Sequence, residues 1–484
     1  MNLRILYIVI FIVSGIHAQR STKAWHNHEN YKNEIIEEAR ITYELLKKEN
    51  KKKDNASHQN TKRKLANTER EAVQIDTAII NGINIAWGSF GRDIGFDDDG
   101  PKEYHPDMEK FESIMNSVAE SGGNVIRWWY HTNGSTNPVY DDTQKVIRNP
   151  DFFHEDFKKI LDLAASKNLK IQPCLWSFDM LKDQWRVDAV ANKKLFTDDE
   201  YFQAYLDNAL IPLVTYIGDH EGLYAWEIFN EAEGMTDQFA SHWDGFKEKV
   251  TMEEIQRFIN RSASAIRNAQ PGIKVTSGAL GFLSAVDNDE KGYKNYYSDE
   301  ELFNAGGKED GYLDLYNIHF YNWAGQEGSP FHNSFESTGL DKPAVIAEYY
   351  PDYTFGLQGS ELGVELMLNR WQGSLVWSWT DRGWDSMVSI VDVIANFDDQ
   401  ILSVNDTAID DFLLFPNPAS SEVSIKGLSI GTEVNIINVL GTSVRHFRTT
   451  EQLTSIDISD LSKGLYLLNF QNSKRNQTLR FLKK

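Results

Sequence analysis

Short runs that are apolar at nearly every position alternate with longer stretches of helical periodicity through the middle of the chain. The runs are Ile79–Ile85, Asn124–Trp129, Leu169–Leu175, Leu223–Phe229, Ile273–Ser277, Leu313–Phe320, Ala344–Ala347 and Ser374–Trp379, eight in all. Continuous rather than alternating apolar character marks strands of a parallel sheet covered on both faces. Between them, Asp107–Ala119, Glu155–Ser166, Asp199–Tyr216, Met252–Asn268 and Glu361–Trp371 place apolar side chains three and four residues apart, as an amphipathic helix does. Eight strand–helix repeats over 77–395 predict an α/β fold, a (β/α)8 TIM barrel. The rival, an open doubly wound sheet, would usually carry a glycine-rich phosphate turn after its first strand. Here Gly82-Ile83-Asn84 lies inside that strand.

The pattern changes on either side. After the Asp- and Val-rich stretch Asp392–Asp411, with a linker placed at 396–410, the strands become brief and glycines mark the bends. Val423–Ile425, Glu433–Asn438, Val444–Arg448, Ser455–Ile458, Tyr466–Phe470 and Gln477–Leu482 predict a small C-terminal β-sandwich over 411–484. At the other end, Arg4, the apolar run Ile5–Val13 and Gly15-Ile16-His17-Ala18 read as a signal peptide over 1–18, too short for a stable membrane span. Residues 19–76 are dense in Lys, Glu, Asn and Gln and offer one narrow apolar stripe, Ile35, Ile36, Ala39, Tyr43 and Leu46. That is a tether or a loosely packed helix, with a basic patch for a polyanion as the alternative.

Composition narrows the function classes. The chain of 484 residues has 49 basic and 71 acidic side chains, a formal charge of −22, which argues against nucleic acid as a partner. Its 13 Trp, 20 Tyr and 26 Phe permit a large core and suit a neutral partner such as a polysaccharide. Cys174 is the single cysteine, so no intrachain disulfide forms, and its apolar setting predicts an inert buried thiol.

Side chains at the carboxyl ends of barrel strands face the active site. Those ends carry Arg127, Trp176, Asn230-Glu231, His319 with Tyr321, Glu348, and Trp377 with Trp379. Two carboxylates stand among them, and glycosidic cleavage needs such a pair, one protonated and one ionised. Each residue also has a structural alternative: a rim salt bridge for Arg127, a hydrogen-bonded core role for His319, and plain core packing for Trp176, Trp323, Trp377 and Trp384.

The segment Trp226-Glu227-Ile228-Phe229-Asn230-Glu231 resembles the strand-four signature of the glycosidase clan that includes glycoside hydrolase family 5, and Ile346-Ala347-Glu348-Tyr349 resembles its strand-seven nucleophile segment. Arg127, His319-Phe320-Tyr321 and Leu375-Val376-Trp377 are similar to its strand-two, strand-six and strand-eight segments. The resemblance implies a retaining enzyme with Glu231 as acid/base and Glu348 as nucleophile. It further implies Asn230 on the sugar 2-hydroxyl, Arg127, His319 and Tyr321 in the substrate site, and Trp377 as stacking surface; Trp176, at the end of strand three, is a second candidate because pyranose faces stack on indoles. Asn84-Ile85-Ala86-Trp87 is similar to the opening of β-mannanases, and Cys174-Leu175-Trp176-Ser177 departs from cellulases that carry a histidine there. Endo-β-1,4-mannanase is therefore the expectation, with an endo-β-1,4-glucanase and a non-catalytic glycan-binding barrel as alternatives.

No cofactor or metal is expected. The acidic loops Asp97-Asp98-Asp99-Gly100 and Asp287-Asn288-Asp289-Glu290 do not fit a twelve-residue calcium loop, and no phosphate loop occurs. Leu414-Phe415-Pro416-Asn417-Pro418-Ala419, Asn438-Val439-Leu440-Gly441, Leu461-Ser462-Lys463-Gly464-Leu465-Tyr466 and the ending Leu482-Lys483-Lys484 resemble the C-terminal sorting domain of type IX secretion. That resemblance implies delivery by the type IX machinery to the surface or surroundings of a Gram-negative bacterium; the enzyme is expected to be a monomer. A carbohydrate-binding sandwich is the alternative.

Overall fold

The computed structural model describes residues 79–96, 102–184, 186–397 and most of 413–483. The signal peptide read at 1–18, the charged segment 19–76, the Asp97-Asp98-Asp99-Gly100 loop and nearly all of the linker lie outside the described residues.

All eight predicted strands form, as β1 Ile80–Ala86, β2 Val125–Thr132, β3 Lys170–Ser177, β4 Ala225–Asn230, β5 Lys274–Ala279, β6 Tyr316–Phe320, β7 Ala344–Tyr349 and β8 Gly373–Val376. They close into one parallel barrel in the order β1-β8-β7-β6-β5-β4-β3-β2. The apolar runs are continuous because their outward side chains, such as Ile126, Ile171 and Ile228, meet the helix layer, where they share one core with Phe111, Phe157 and Ile259. Polar residues inside those runs point into the barrel. Register places Asn84 of β1 beside Arg127 of β2, Arg127 beside Gln172 of β3, and Cys174 of β3 beside Glu227 of β4. Irregular register at Glu227/Asn230 and Ile318/His319 re-aims the ends of β4 and β6.

The helix over Met108–Glu120 starts at Asp107, whose side chain accepts the Lys110 N–H, and that over Met252–Ala269 starts with a Thr251/Glu254 capping box. The single helix predicted over Asp199–Tyr216 is three segments, α over Asp199–Tyr205, π over Leu206–Leu210 and α over Ile211–Ile217. Pro212 near the start of the third lacks an N–H and crowds the preceding turn, which accounts for the wider π turn. Strand eight stops at Val376 rather than Trp379, so Trp379 begins a short helix, and the first residues of the Asp- and Val-rich stretch, from Asp392, belong to a helix over Trp384–Ala395. Met387, Ile390, Val391 and Ile394 bury one face of that helix, and the amide of Asn81 donates to its Val391 carbonyl at 2.8 Å.

The C-terminal strands are β9 Leu413–Phe415, β10 Glu422–Lys426, β11 Glu433–Asn438, β12 Ser443–Arg448, β13 Leu453–Asp457, β14 Gly464–Asn472 and β15 Arg475–Lys483. Antiparallel sheets β9-β10-β13 and β12-β11-β14-β15 enclose Val423, Ile425, Val434, Ile436, Leu468 and Phe481, a small sandwich as expected. Among the described residues no helix is long and apolar enough to cross a membrane.

Candidate active site

Arg127 is fully buried and organises the barrel mouth from below. Its Nε and Nη2 donate to the two oxygens of Glu227 at 2.7 Å each, its Nη1 to Asn84 Oδ1 and Glu348 Oε2 at 2.9 Å each, and its Nη2 also to Asn230 Oδ1 at 2.9 Å. A planar fork with five N–H groups suits such a set, and Lys could not reproduce it. Gln172 Nε2 donates to Glu227 Oε2 at 2.9 Å, so this second buried carboxylate is neutralised by Arg127 and satisfied by an amide. The rim salt bridge considered for Arg127 is thus a buried network spanning β1, β2, β3, β4 and β7. Cys174 lies beside it with its thiol buried, and burial pushes its pKa well above the usual value, as expected of an inert group.

Glu231 and Glu348 meet above this network. One oxygen of each lies within 4.8 Å of the other and of a ring nitrogen of His319. Glu231 has left-handed backbone (φ 47°), its N–H donates to the Gly278 carbonyl at 2.9 Å, and its Oε1 is 3.0 Å from His319 Nδ1. Glu348 Oε1 accepts the Tyr321 hydroxyl while its Oε2 accepts Arg127. Gly278 is required by close approach, since a Cβ there would lie 2.6 Å from Glu227 Oε1 and 2.9 Å from His319 Nε2.

The two carboxyls differ in their donors, and this separates their protonation. Burial pushes Glu231 well above the usual carboxylate range, and the charges of Glu348 and Glu233 add to the effect. Burial also raises Glu348, but Arg127 and the Tyr321 hydroxyl favour its charged form and hold it at about 7. The first proton therefore leaves Glu348 and the second stays on Glu231. Arg127 and the Tyr321 hydroxyl thus offset part of the effect of burial on Glu348. His319 is neutral, since burial and the Arg127 charge push it well below its ordinary value. Its Nδ1 faces both carboxyls, 3.6 Å from Glu348 Oε2.

Asn230 and Trp377 also lie where the sequence placed them. The Asn230 oxygen accepts from Arg127, which fixes the amide with its NH2 group as the remaining donor. Trp377 clusters with Trp129 (5.6 Å) and Trp87 (5.7 Å), and its indole N–H donates to Asp381 Oδ2 at 3.1 Å. Trp176 is elsewhere. It is fully buried, its N–H donates to the Tyr205 hydroxyl at 3.0 Å and its ring lies 4.5 Å from His131, so it offers no face to a sugar. Of the other indoles, Trp384 stacks on Trp379 at 5.6 Å and both are part-buried; Trp323 sits part-buried in the turn after β6.

Four neighbours escaped the strand-end reading. Asn84, Gln172 and Glu227 lie within strands, where a polar residue in an otherwise apolar run was the available signal. Glu233 follows Glu231 by two positions and is fully buried. Its Oε1 accepts the Leu280 N–H at 3.1 Å and the Ser284 hydroxyl at 2.5 Å, which ties the turn bearing Glu231 to the loop after β5.

Glu231, His319 and Glu348 are the one group among the described residues whose ligand atoms could converge on a cation. Arg127 and Tyr321 already occupy the Glu348 oxygens, and the guanidinium opposes a second positive charge there. In the Asp287-Asn288-Asp289-Glu290 loop, Asp287 accepts the Asn295 N–H at 2.8 Å and Asn288 the Lys291 N–H at 3.0 Å, so these side chains cap their own turn.

A closed parallel barrel with one protonated and one ionisable carboxyl facing each other at its mouth defines a glycoside hydrolase. The chain is 30% identical over 328 residues to a mannan endo-1,4-beta-mannosidase of Mytilus edulis, a match spanning 64% of this chain and 86% of that protein. It is 30% identical over 330 residues to a mannan endo-1,4-beta-mannosidase of Cryptopygus antarcticus, spanning 63% and 81% respectively. The crystal structure of the blue mussel β-mannanase superposes with a TM-score of 0.60 at 27% identity, over 66% of this chain and 93% of that one. The chain belongs to this family, the mannan endo-1,4-β-mannosidases. Residues 413–484 match the secretion system C-terminal sorting domain.

Proposed function

We propose that the chain is a retaining endo-β-1,4-mannanase that cleaves mannan or glucomannan by double displacement. The observation that carries the mechanism is the unequal donor set of the two facing carboxyls. Glu348, with Arg127 and Tyr321 donating to its charge, attacks the anomeric carbon as the C–O bond to the leaving sugar breaks. Glu231 gives its proton to the departing oxygen. Water then enters, loses a proton to Glu231 and displaces Glu348 from the sugar, returning both groups to their starting states. A carboxyl separation of about 5 Å suits this course, whereas an inverting enzyme needs roughly 6.5–9.5 Å to admit water between carboxyl and sugar. The Asn230 amide is assigned to the sugar 2-hydroxyl and Trp377 to the floor under the ring. Neutral His319 fixes the orientation of Glu231.

Mannan as substrate is supported by the activity named for the relatives and by the β1 segment Asn84-Ile85-Ala86-Trp87. The sorting domain, with the signal peptide read at 1–18, supports export by the type IX machinery to the cell surface or medium of a Gram-negative bacterium. Hydrolysis of mannan, glucomannan, carboxymethyl cellulose and mixed-linkage glucan, with products sized by chromatography, tests the substrate. Mannan or glucomannan should be cut fastest, into mixed oligosaccharides; faster cleavage of carboxymethyl cellulose would replace this reading with an endoglucanase.

A further inference from the structure

The loop that follows β7 carries a two-residue hairpin. The Thr354 N–H donates to the Leu357 carbonyl at 2.8 Å and the Leu357 N–H returns to the Thr354 carbonyl at 3.0 Å. Phe355 (φ 47°) and Gly356 (φ 104°) occupy the turn between them. Positive φ at both central positions is the geometry that Asn, Asp and Gly fill, and a bulky aromatic residue is strained there. Burial does not account for it, because Phe355 is 39% exposed, its ring lying edge-on to His332 at 6.0 Å. Tyr353, two positions earlier, is 64% exposed, while Thr354 between them is 2% exposed. Both exposed rings therefore sit within one short hairpin, on either side of the buried Thr354.

The hairpin is fastened to the barrel mouth. Asn322, in the turn after β6, donates its amide to the Tyr353 carbonyl at 2.9 Å. Asp352 pairs with Arg382 of the short helix after β8 at 3.3 Å. The Arg382 guanidinium lies 3.9 Å over the Tyr350 ring, and Tyr350 packs edge-on against Tyr321 at 4.7 Å. Loops after three strands thus hold two exposed rings a few residues beyond Glu348.

We propose that Tyr353 and Phe355 form a secondary platform that binds the polysaccharide chain beyond the sugar units at Glu231 and Glu348, a proposal that rests on the mannanase reading. Pyranose rings of a neutral β-1,4-linked polymer present C–H faces that stack on aromatic rings. The net charge of −22 disfavours a polyanion at this surface. Binding energy from units remote from the scissile bond lowers KM for long chains and leaves short substrates unaffected.

Phe355→Asn places a residue that accepts left-handed backbone at the strained position, and Tyr353→Ala removes the other ring. The asparagine variant should melt no lower than the parent, with a gain of about 1–3 °C from relieved strain. Each variant should raise KM for polymeric mannan roughly three- to ten-fold, with turnover of a short chromogenic mannoside unchanged. In a Glu348→Gln background, retardation in a gel containing soluble mannan should weaken to the same degree. Unchanged KM and unchanged retardation in both variants would overturn the platform. So would a clear fall in melting temperature for Phe355→Asn, which would make the ring a packing residue, as would unaltered mannan binding with loss of a protein partner at this hairpin. Failure of the unsubstituted enzyme to cleave mannan at all would instead defeat the function reading, and the gel reports on the platform independently of cleavage.

Discussion

Arg127 is clasped by both oxygens of Glu227, at 2.7 Å each, with neither side chain exposed to solvent. This pairing fixes the plane of the guanidinium and so aims its Nη1 at Glu348. Glu227→Ala would leave a buried cation without its main counter-charge, and the loss of stability should be about 3–5 kcal/mol, read from denaturant unfolding. Activity should fall as well, because Arg127 would no longer be held on Glu348.

Tyr321 and Glu348 predict a pH effect with a definite sign. The tyrosine hydroxyl donates to the carboxylate and so favours its charged form. Tyr321→Phe should raise the Glu348 pKa further, moving the acidic limb of the kcat/KM profile to higher pH by roughly half a unit to one unit. An acidic limb at its original position would show that the hydroxyl does not act on Glu348.

Glu233 acts on the opposite limb. Its charge adds to the elevation of Glu231. Glu233→Gln keeps an oxygen for the Leu280 and Ser284 donors but removes that charge. The basic limb of kcat/KM should move to lower pH, with little change in melting temperature.

Trp176 marks where sequence reading went astray. Its position at the end of an apolar strand suggested a stacking residue, yet its ring turns to Tyr205 and His131. Trp176→Phe should cost about 1–2 kcal/mol of stability through the lost hydrogen bond and volume while leaving KM for mannan within two-fold. A large rise in KM with unchanged stability would return it to the substrate site.

The barrel was legible because eight apolar runs alternate with helical periodicity, and the facing pair because Glu231 and Glu348 end two of those runs. Other features depend on tertiary direction, which a linear pattern does not carry. Glu227 is three residues from Asn230 in sequence, but its partnership with Arg127 follows from strand register. The helix over Trp384–Ala395 is rich in β-branched residues and Asp, so its buried stripe resembled a polar connection. Phe355 carries no sequence signal at all, because only the backbone angle reveals that an aromatic residue occupies an Asn or Gly position.

The C-terminal sandwich has its own core and matches a sorting domain, so it should be dispensable for catalysis. Ending the chain near Asn405 should leave hydrolysis of soluble mannan within about two-fold of the full chain, since the site is complete without that module. In a host with type IX secretion, the shortened enzyme should accumulate in the periplasm. Residues 411–484 fused to a periplasmic reporter should carry it to the surface or medium.

The assignment of Glu348 as nucleophile is tested most directly by chemical rescue. Glu348→Ala should fold normally and lose several orders of magnitude in turnover. Added azide should restore cleavage of an activated β-mannoside, and the product identified by NMR should be the α-mannosyl azide, because the small anion enters from the face that Glu348 vacated. A variant that retains near-normal turnover without azide, or a rescued product of β configuration, would contradict the account.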